Sequence, residues 1–197
     1  MSNKPYAAAA EQNRQDILSV IENEFSQANS VLEIGSGTGQ HAVYFAQHLT
    51  HLTWQCSDKT DMLEGINQWL DEADLNNTPE AIALDVTNKW PQEKYEAAFA
   101  ANIAHIMHSH EIEAMFTGLS RALKPTAKFC LYGPFNIDGR YTSDSNRNFD
   151  TWLRSRDAKS FIRDKAYMDK VARLNQLEPV HCYPMPSNNF ILCWQKN

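Results

Sequence analysis

The stretch Val31-Leu32-Glu33-Ile34-Gly35-Ser36-Gly37-Thr38-Gly39 runs from an apolar strand into an acidic residue and then through three glycines at alternate positions. A helical pattern follows, carried by Ala42, Val43, Phe45 and Ala46. Glycine lacks Cβ, so it takes positive φ freely and lets a ligand come close to the backbone. A strand-to-helix turn also leaves the first helical N–H groups without partners, facing outward. Dinucleotide-binding loops space their glycines G-x-G-x-x-G and seat a pyrophosphate there. Here the third glycine comes one residue early, and Gln40 stands where that spacing wants Gly or Ala. Glu33 is a second departure. A carboxylate just before the loop repels pyrophosphate but suits a ligand with a cationic sulfonium and an α-ammonium group. Tight turns also carry glycines at this spacing, so the run is one signal among several.

Outward from that loop the chain alternates strands and helices. Ile17, Leu18, Ile21 and Phe25 give a first helix an apolar face. Ser30–Ile34 is strand one and Leu52–Ser57 strand two; Met62, Ile66, Trp69 and Leu70 mark the helix after it. Ala81–Leu84 and Tyr95–Ala101 are strands three and four. Ser109 is placed to cap a helix bearing Ile112, Met115, Phe116, Leu119 and Leu123, which Lys124-Pro125 ends. Strand five is Lys128–Tyr132, followed by a polar loop to about Arg147 and a single helical stretch over about 149–175. Val180–Tyr183 and Phe190–Trp194 close the chain as two strands. The link from Pro184 to Asn189 is too short for a crossover helix, so that pair is expected to be antiparallel. Such alternation predicts an α/β fold: a mostly parallel sheet covered on both faces, with ligands bound outside the carboxyl ends of its strands.

The polar residues fall at those ends: Glu33, Asp58, Asp85, Asn102 and Tyr132. Asp58 lies 19 residues after Gly39, near the spacing at which an acidic residue meets ribose hydroxyls. An ionised carboxylate accepts two hydroxyl donors at once. The competing role for Asp58 is the N-cap of a helix starting near Thr60. Asp85 could accept from an adenine amino group, with the Val86 N–H toward a ring nitrogen, or it could simply hold a turn. Asn102 could hold an amino-acid moiety or, again, a turn.

With these residues in place, the chain resembles the Rossmann-like, seven-stranded (class I) S-adenosylmethionine-dependent methyltransferases over nearly its whole length. The carriers are Glu33-Ile34-Gly35-Ser36-Gly37-Thr38-Gly39, Ser57-Asp58, Leu84-Asp85-Val86 and Arg121-Ala122-Leu123-Lys124-Pro125. Thr126-Ala127 departs from the Gly-Gly that often follows Lys-Pro in that family. A narrower resemblance, to the methyltransferase-like 26 group, rests on Asn102-Ile103-Ala104-His105-Ile106, Leu131-Tyr132-Gly133-Pro134-Phe135, Leu153-Arg154-Ser155-Arg156-Asp157 and Met185-Pro186-Ser187-Asn188-Asn189, among others. The resemblance implies a three-layer Rossmann-like sandwich whose seven-stranded, mostly parallel sheet has an antiparallel last strand. It implies one domain over residues 1–197: an N-terminal helix in 1–29, alternating elements over 30–175 and a strand pair in 176–197. It implies S-adenosylmethionine as cofactor and S-adenosylhomocysteine as product. Glu33, Gly35, Ser36, Gly37, Gly39, Asp58, Asp85, Val86 and Asn102 are then the cofactor contacts.

Methyl transfer is an in-line displacement, and the protein chiefly aligns nucleophile and methyl. His105, just past strand four, is the candidate base because an unperturbed imidazole titrates near neutrality. A hydrogen-bonded structural histidine is the alternative. His105, His108 and His110 lack the accompanying Cys or paired carboxylate of a zinc site, so no metal is expected. Tyr132, Phe135, Asn136, Arg140, Asn188 and Asn189 form the expected acceptor wall, since loops at this face carry function; their aromatic and amide groups suit a small, partly polar molecule. The Asn-Pro-Pro-aromatic motif of nucleobase amino methylases, a Pro-Cys nucleophile, a G-x-S-x-G elbow and a P-loop lysine are all missing. Two competing classes remain. One is a cofactor-binding module acting through a protein partner. The other is a Rossmann dehydrogenase, against which Glu33, the early third glycine and the terminal strand pair all count.

Bulk properties bound the rest. The chain has 197 residues and a formal net charge of −6, which disfavours a dedicated nucleic-acid binder. Residues 1–150 hold 10 Lys+Arg against 20 Asp+Glu, whereas residues 151–197 hold 8 against 4. Interleaved Asp157, Asp164 and Asp169 make that basic segment read as a solvated helix with ion pairs, although an anionic partner would also suit it. Cys56, Cys130, Cys182 and Cys193 are widely spaced and are expected as buried free thiols. No signal-peptide pattern or membrane-length apolar run is present, so a cytoplasmic protein is expected, of unassigned oligomeric state.

Overall fold

The computed structural model describes residues 4–197. Among them seven strands form one sheet in the order β3-β2-β1-β4-β5-β7-β6. The strands are β1 (Ser30–Ile34), β2 (Thr53–Asp58), β3 (Ile82–Ala83), β4 (Tyr95–Ala101), β5 (Leu123–Gly133), β6 (Leu177–Met185) and β7 (Asn189–Lys196). Strands β1 to β5 pair in parallel, while β7 runs antiparallel to both β5 and β6. The helices are α1 (Ala8–Glu24), α2 (Gln40–His48), α3 (Leu63–Ala73), α4 (Ser109–Ala122), α5 (Asp144–Arg156) and α6 (Lys165–Leu174). This is the seven-stranded, mostly parallel arrangement with a reversed last strand, and not the all-parallel order of a dinucleotide-binding sheet.

Strand alternation divides the core. Val31, Trp54, Phe99, Cys130 and Cys193 point to one face, under Ile17 and Ile21 of α1, Phe25 just past its end, Phe45 of α2 and Ile66 of α3. Leu32, Ala98, Phe129, Leu131 and Trp194 point to the other, under Ile112, Met115, Phe116 and Leu119 of α4 and Met168 and Val171 of α6. A parallel sheet buried on both faces explains why its strands read as apolar runs. Between β1 and β4 the strand order reverses, which opens a crevice at their carboxyl ends.

Several element boundaries differ from the sequence expectation. The helix expected over about 149–175 is two helices. Ser143 caps α5, accepting from the Asn146 N–H at 3.0 Å. Asp157 ends it by accepting from the Lys159 N–H and the Ser160 hydroxyl, both at 3.0 Å. Asp164 then caps α6 through the Ala166 N–H at 2.8 Å. Of the three acidic residues expected as ion-pair partners, Asp157 and Asp164 are thus turn and cap acceptors, whereas Asp169 does pair with Lys165, at 2.5 Å along α6. Strand β3 is two residues long, and β5 begins directly after α4, with Thr126 at φ 66° and a register shift opposite Tyr95–Ala97. His108, not Ser109, occupies the cap position of α4. Cys182 is exposed on edge strand β6, unlike the other three cysteines.

Candidate active site

Gly35, Gly37 and Gly39 all adopt positive φ, at 69°, 60° and 88°. At Gly39 a Cβ would meet the backbone of Ile66 at 3.3 Å, so the loop must stay close to α3. At Gly37 a Cβ would meet nothing within 4 Å, so the backbone there borders open space. The loop is tied to β2: the Gly37 N–H donates to Asp58 Oδ2 at 2.8 Å, and the Gly35 and Ser36 N–H groups donate to the Ser57 carbonyl at 2.9 and 3.0 Å. Asp58 Oδ1 accepts from the Lys59 N–H at 2.7 Å. Asp58 therefore positions the glycine loop, and Lys59 holds the cap position of the short 3-10 turn Thr60–Met62. Burial raises the Asp58 pKa despite these two backbone hydrogen bonds.

Beside the loop lies a cavity of about 150 Å³ lined by Ile34, Gly35, Asp58, Lys59, Leu84, Val86, Ile103, Ile106, Met107 and Glu111. A dry cavity of about this size accepts a benzene ring. Its lining is mostly apolar, with charged groups at Asp58, Lys59 and Glu111. Asp85 lies off this lining, between two residues that are on it. Its Oδ1 accepts from the Thr87 N–H at 2.9 Å and the Thr87 hydroxyl at 2.7 Å, forming a turn, and these bonds lower its pKa.

Glu33 is buried at the carboxyl end of β1. Its Oε2 accepts from Ser36 Oγ at 2.9 Å and Trp54 Nε1 at 3.1 Å, with Cys56 Sγ at 3.8 Å. Burial pushes its carboxyl up to about 7 against the pull of those donors. Asn102, at φ 60°, ends β4 and donates its N–H to the Tyr132 carbonyl at 2.9 Å.

His105 lies in the β4–α4 turn, edge-on to Phe149 at 5.2 Å. Burial, then the positive charge of Arg163, pushes its pKa down to about 4. It is therefore neutral at pH 7 but weakly basic, so the near-neutral titration that marked it as a base does not survive burial. Its Nδ1 is buried without a partner. His108, three residues farther along, meets Asp157 at 2.6 Å instead.

The expected acceptor residues do not all meet in one place. Phe135 is fully buried in the core under α4 and α6. Asn136 ties the loop down, its N–H donating to the Arg163 carbonyl at 2.9 Å, and its Oδ1 is buried without a partner. Arg140 is exposed. The Asn188 carbonyl accepts from Asn146 Nδ2 at 3.0 Å, linking the β6–β7 turn to α5. Tyr132 is buried, and burial raises the pKa of its phenol.

Sequence reading missed several residues here. Gln40, the misfit of the glycine spacing, accepts at Oε1 from the Ala7 N–H at 2.6 Å and the Thr38 hydroxyl at 3.0 Å, and donates from Nε2 to Glu11 at 3.0 Å. It latches the N-terminal segment onto the loop. Arg163, only 1 % exposed, donates to the carbonyls of Ala104, Met107 and Lys159 and so props the turn that carries His105. Nothing in the local pattern of a Lys/Arg-rich segment distinguishes such a buried arginine.

A family model described as a protein of unknown function (DUF938) matches residues 4–196. The chain belongs to that family. Solved structures share the fold of this family member. An S-adenosylmethionine-dependent methyltransferase, SibL in its apo form, superposes with TM-score 0.83 and 16% identity over 96% of this chain and 56% of that one. An O-methyltransferase family protein from Burkholderia thailandensis gives 0.83 and 14%, over 96% and 57%. The mitomycin 7-O-methyltransferase MmcR gives 0.85 and 14%, over 96% and 55%. The family member thus spans little more than half the length of these neighbours, and at such identity the likeness is one of fold.

Proposed function

We propose that this chain is an S-adenosylmethionine-dependent methyltransferase with a small-molecule acceptor. The observation that carries this reading is Asp58. A carboxylate held by the Gly37 N–H sits beside an apolar slot, at the strand-order reversal of a sheet with a reversed last strand. The residues present fit the cofactor: the backbone at Gly37 borders open space, and Asp58 keeps acceptor capacity beyond its two backbone bonds. When bound, S-adenosylmethionine supplies a methyl group activated by its sulfonium.

The chain's residues have defined tasks in this reading. Asp58 takes ribose hydroxyls; Val86 and the apolar walls hold the base in the slot. Gly35, Ser36, Gly37 and Gly39 shape the loop, with Glu33 behind it and the turn of Asp85 beside it. Asn102 faces the amino-acid moiety. The loops that carry Asn136, Arg140, Asn188 and Asn189, with Tyr132 near the end of β5, provide the acceptor side, and Phe135 belongs to the core under α4 and α6. His105 serves there as a neutral hydrogen-bonding group, not as a strong base. Among class I enzymes we place the chain with the methyltransferase-like 26 group, on the segments around Asn102–Ile106 and Met185–Asn189. Isothermal titration with S-adenosylhomocysteine tests the cofactor: binding in the micromolar range is expected, without comparable binding of NAD. No heat at saturating ligand would sink the reading.

A further inference from the structure

Resting on the cofactor reading above, we infer that Glu111 makes the slot selective for a 6-aminopurine over a 6-oxopurine. Asp85 follows β3, but its Oδ1 is engaged by Thr87, and the residue lines a neighbouring cavity of about 360 Å³ that adjoins the slot at Lys59 and Leu84. Leu84 and Val86 line the slot, but Asp85 between them does not, because its carboxylate is turned onto Thr87. Glu111 enters the same slot from the first turn of α4. Its Oε2 accepts from the His108 N–H at 2.6 Å, which fixes the side chain, and a carboxylate retains further acceptor sites.

The slot therefore carries two carboxylates from different elements, Asp58 from the end of β2 and Glu111 from α4, with Ile34, Val86 and Ile103 among its apolar lining. Asp58 suits a ribose diol. The second carboxylate suits a donor on the base itself, and the exocyclic amine of adenine is such a donor. A 6-oxo group presents lone pairs to the same carboxylate and is repelled. A hydrogen bond to a charged group separates two such ligands by about tenfold to a hundredfold.

The test is calorimetry on the full chain with two probes, S-adenosylhomocysteine and its 6-oxo analogue S-inosylhomocysteine. Wild type is expected to prefer the amino ligand by about tenfold or more. Glu111→Gln keeps a carbonyl oxygen for the His108 N–H but offers an amide that accepts from the amine and donates to the oxo group. It should bring the two affinities to within about threefold. Glu111→Asp retains charge and a first-turn carboxylate but withdraws it by one methylene. It should lose the preference as well, which keeps the test open if Glu111→Gln folds poorly. A preference that persists in both Glu111 variants, or that disappears in Asp85→Asn, overturns the inference. Wild type binding neither probe would instead mark failure of the cofactor reading.

Discussion

At Asp58 a single carboxylate links the glycine loop to β2 and faces the slot. Asp58→Ala is expected to weaken S-adenosylhomocysteine binding by about 1.5–3 kcal/mol, the worth of hydrogen bonds to a charged group. Titration calorimetry reads this directly, and an unchanged affinity would reduce Asp58 to a loop tie. Glu33 yields a second expectation at this scale. Its folded-state pKa lies near 7, above its ordinary value of 4.5. The folded state thus holds the proton more tightly than the unfolded chain. The stability this lends is present below about pH 4.5 and is lost as pH rises through 7. Glu33→Gln keeps an oxygen for Ser36 and Trp54 and removes the titration. Its stability relative to wild type should rise by about 2–3 kcal/mol between pH 4.5 and pH 8, as measured by urea unfolding. A difference that stays flat with pH would show that Glu33 is not titrating in this range.

At the scale of elements, the connection between α5 and α6 does more than join two helices. Arg163 crosses from it to hold three backbone carbonyls, two of them in the β4–α4 turn whose Ile103, Ile106 and Met107 wall the slot. Arg163→Ala leaves buried carbonyls unpaired and is expected to cost about 3 kcal/mol of stability. Because the turn it props lines the slot, cofactor affinity should fall as well. Stability within about 0.5 kcal/mol of wild type by denaturant titration would show that water replaces the guanidinium without loss. Sequence periodicity located the helical character of this segment but joined α5 to α6. The break is made by Asp157 and Asp164, whose carboxylates accept backbone N–H groups in a turn and a cap. Aspartate spaced among lysines and arginines looks the same whether it pairs with them or ends a helix.

Across the whole molecule, the two cores share one sheet. Phe99 of β4 lies in the core beneath α1 to α3, and Phe129 of β5 in the core beneath α4 and α6. Phe99→Ala and Phe129→Ala are each expected to cost about 3–5 kcal/mol. Each should also move a single unfolding transition, because neither layer has a sheet of its own. A second transition left in place in either variant would show that the layers unfold separately. Among the described residues no helix is long and apolar enough to cross a membrane.

What the chain determined by itself was whatever depends on local steric freedom and residue periodicity. The glycine loop, the alternation of strands and helices, the polar strand ends and the antiparallel closing pair follow from which residues tolerate positive φ and which faces must be buried. What only the tertiary structure decided was which partner each polar group finds. Asp85 turns to Thr87, Glu111 enters the slot from a helix 26 residues farther along, Gln40 reaches back to Ala7, and Arg163 is sealed against carbonyls from another loop. The reason is physical. A buried donor or acceptor must be satisfied by whatever the fold brings within about 3 Å, and sequence spacing carries no record of that neighbour.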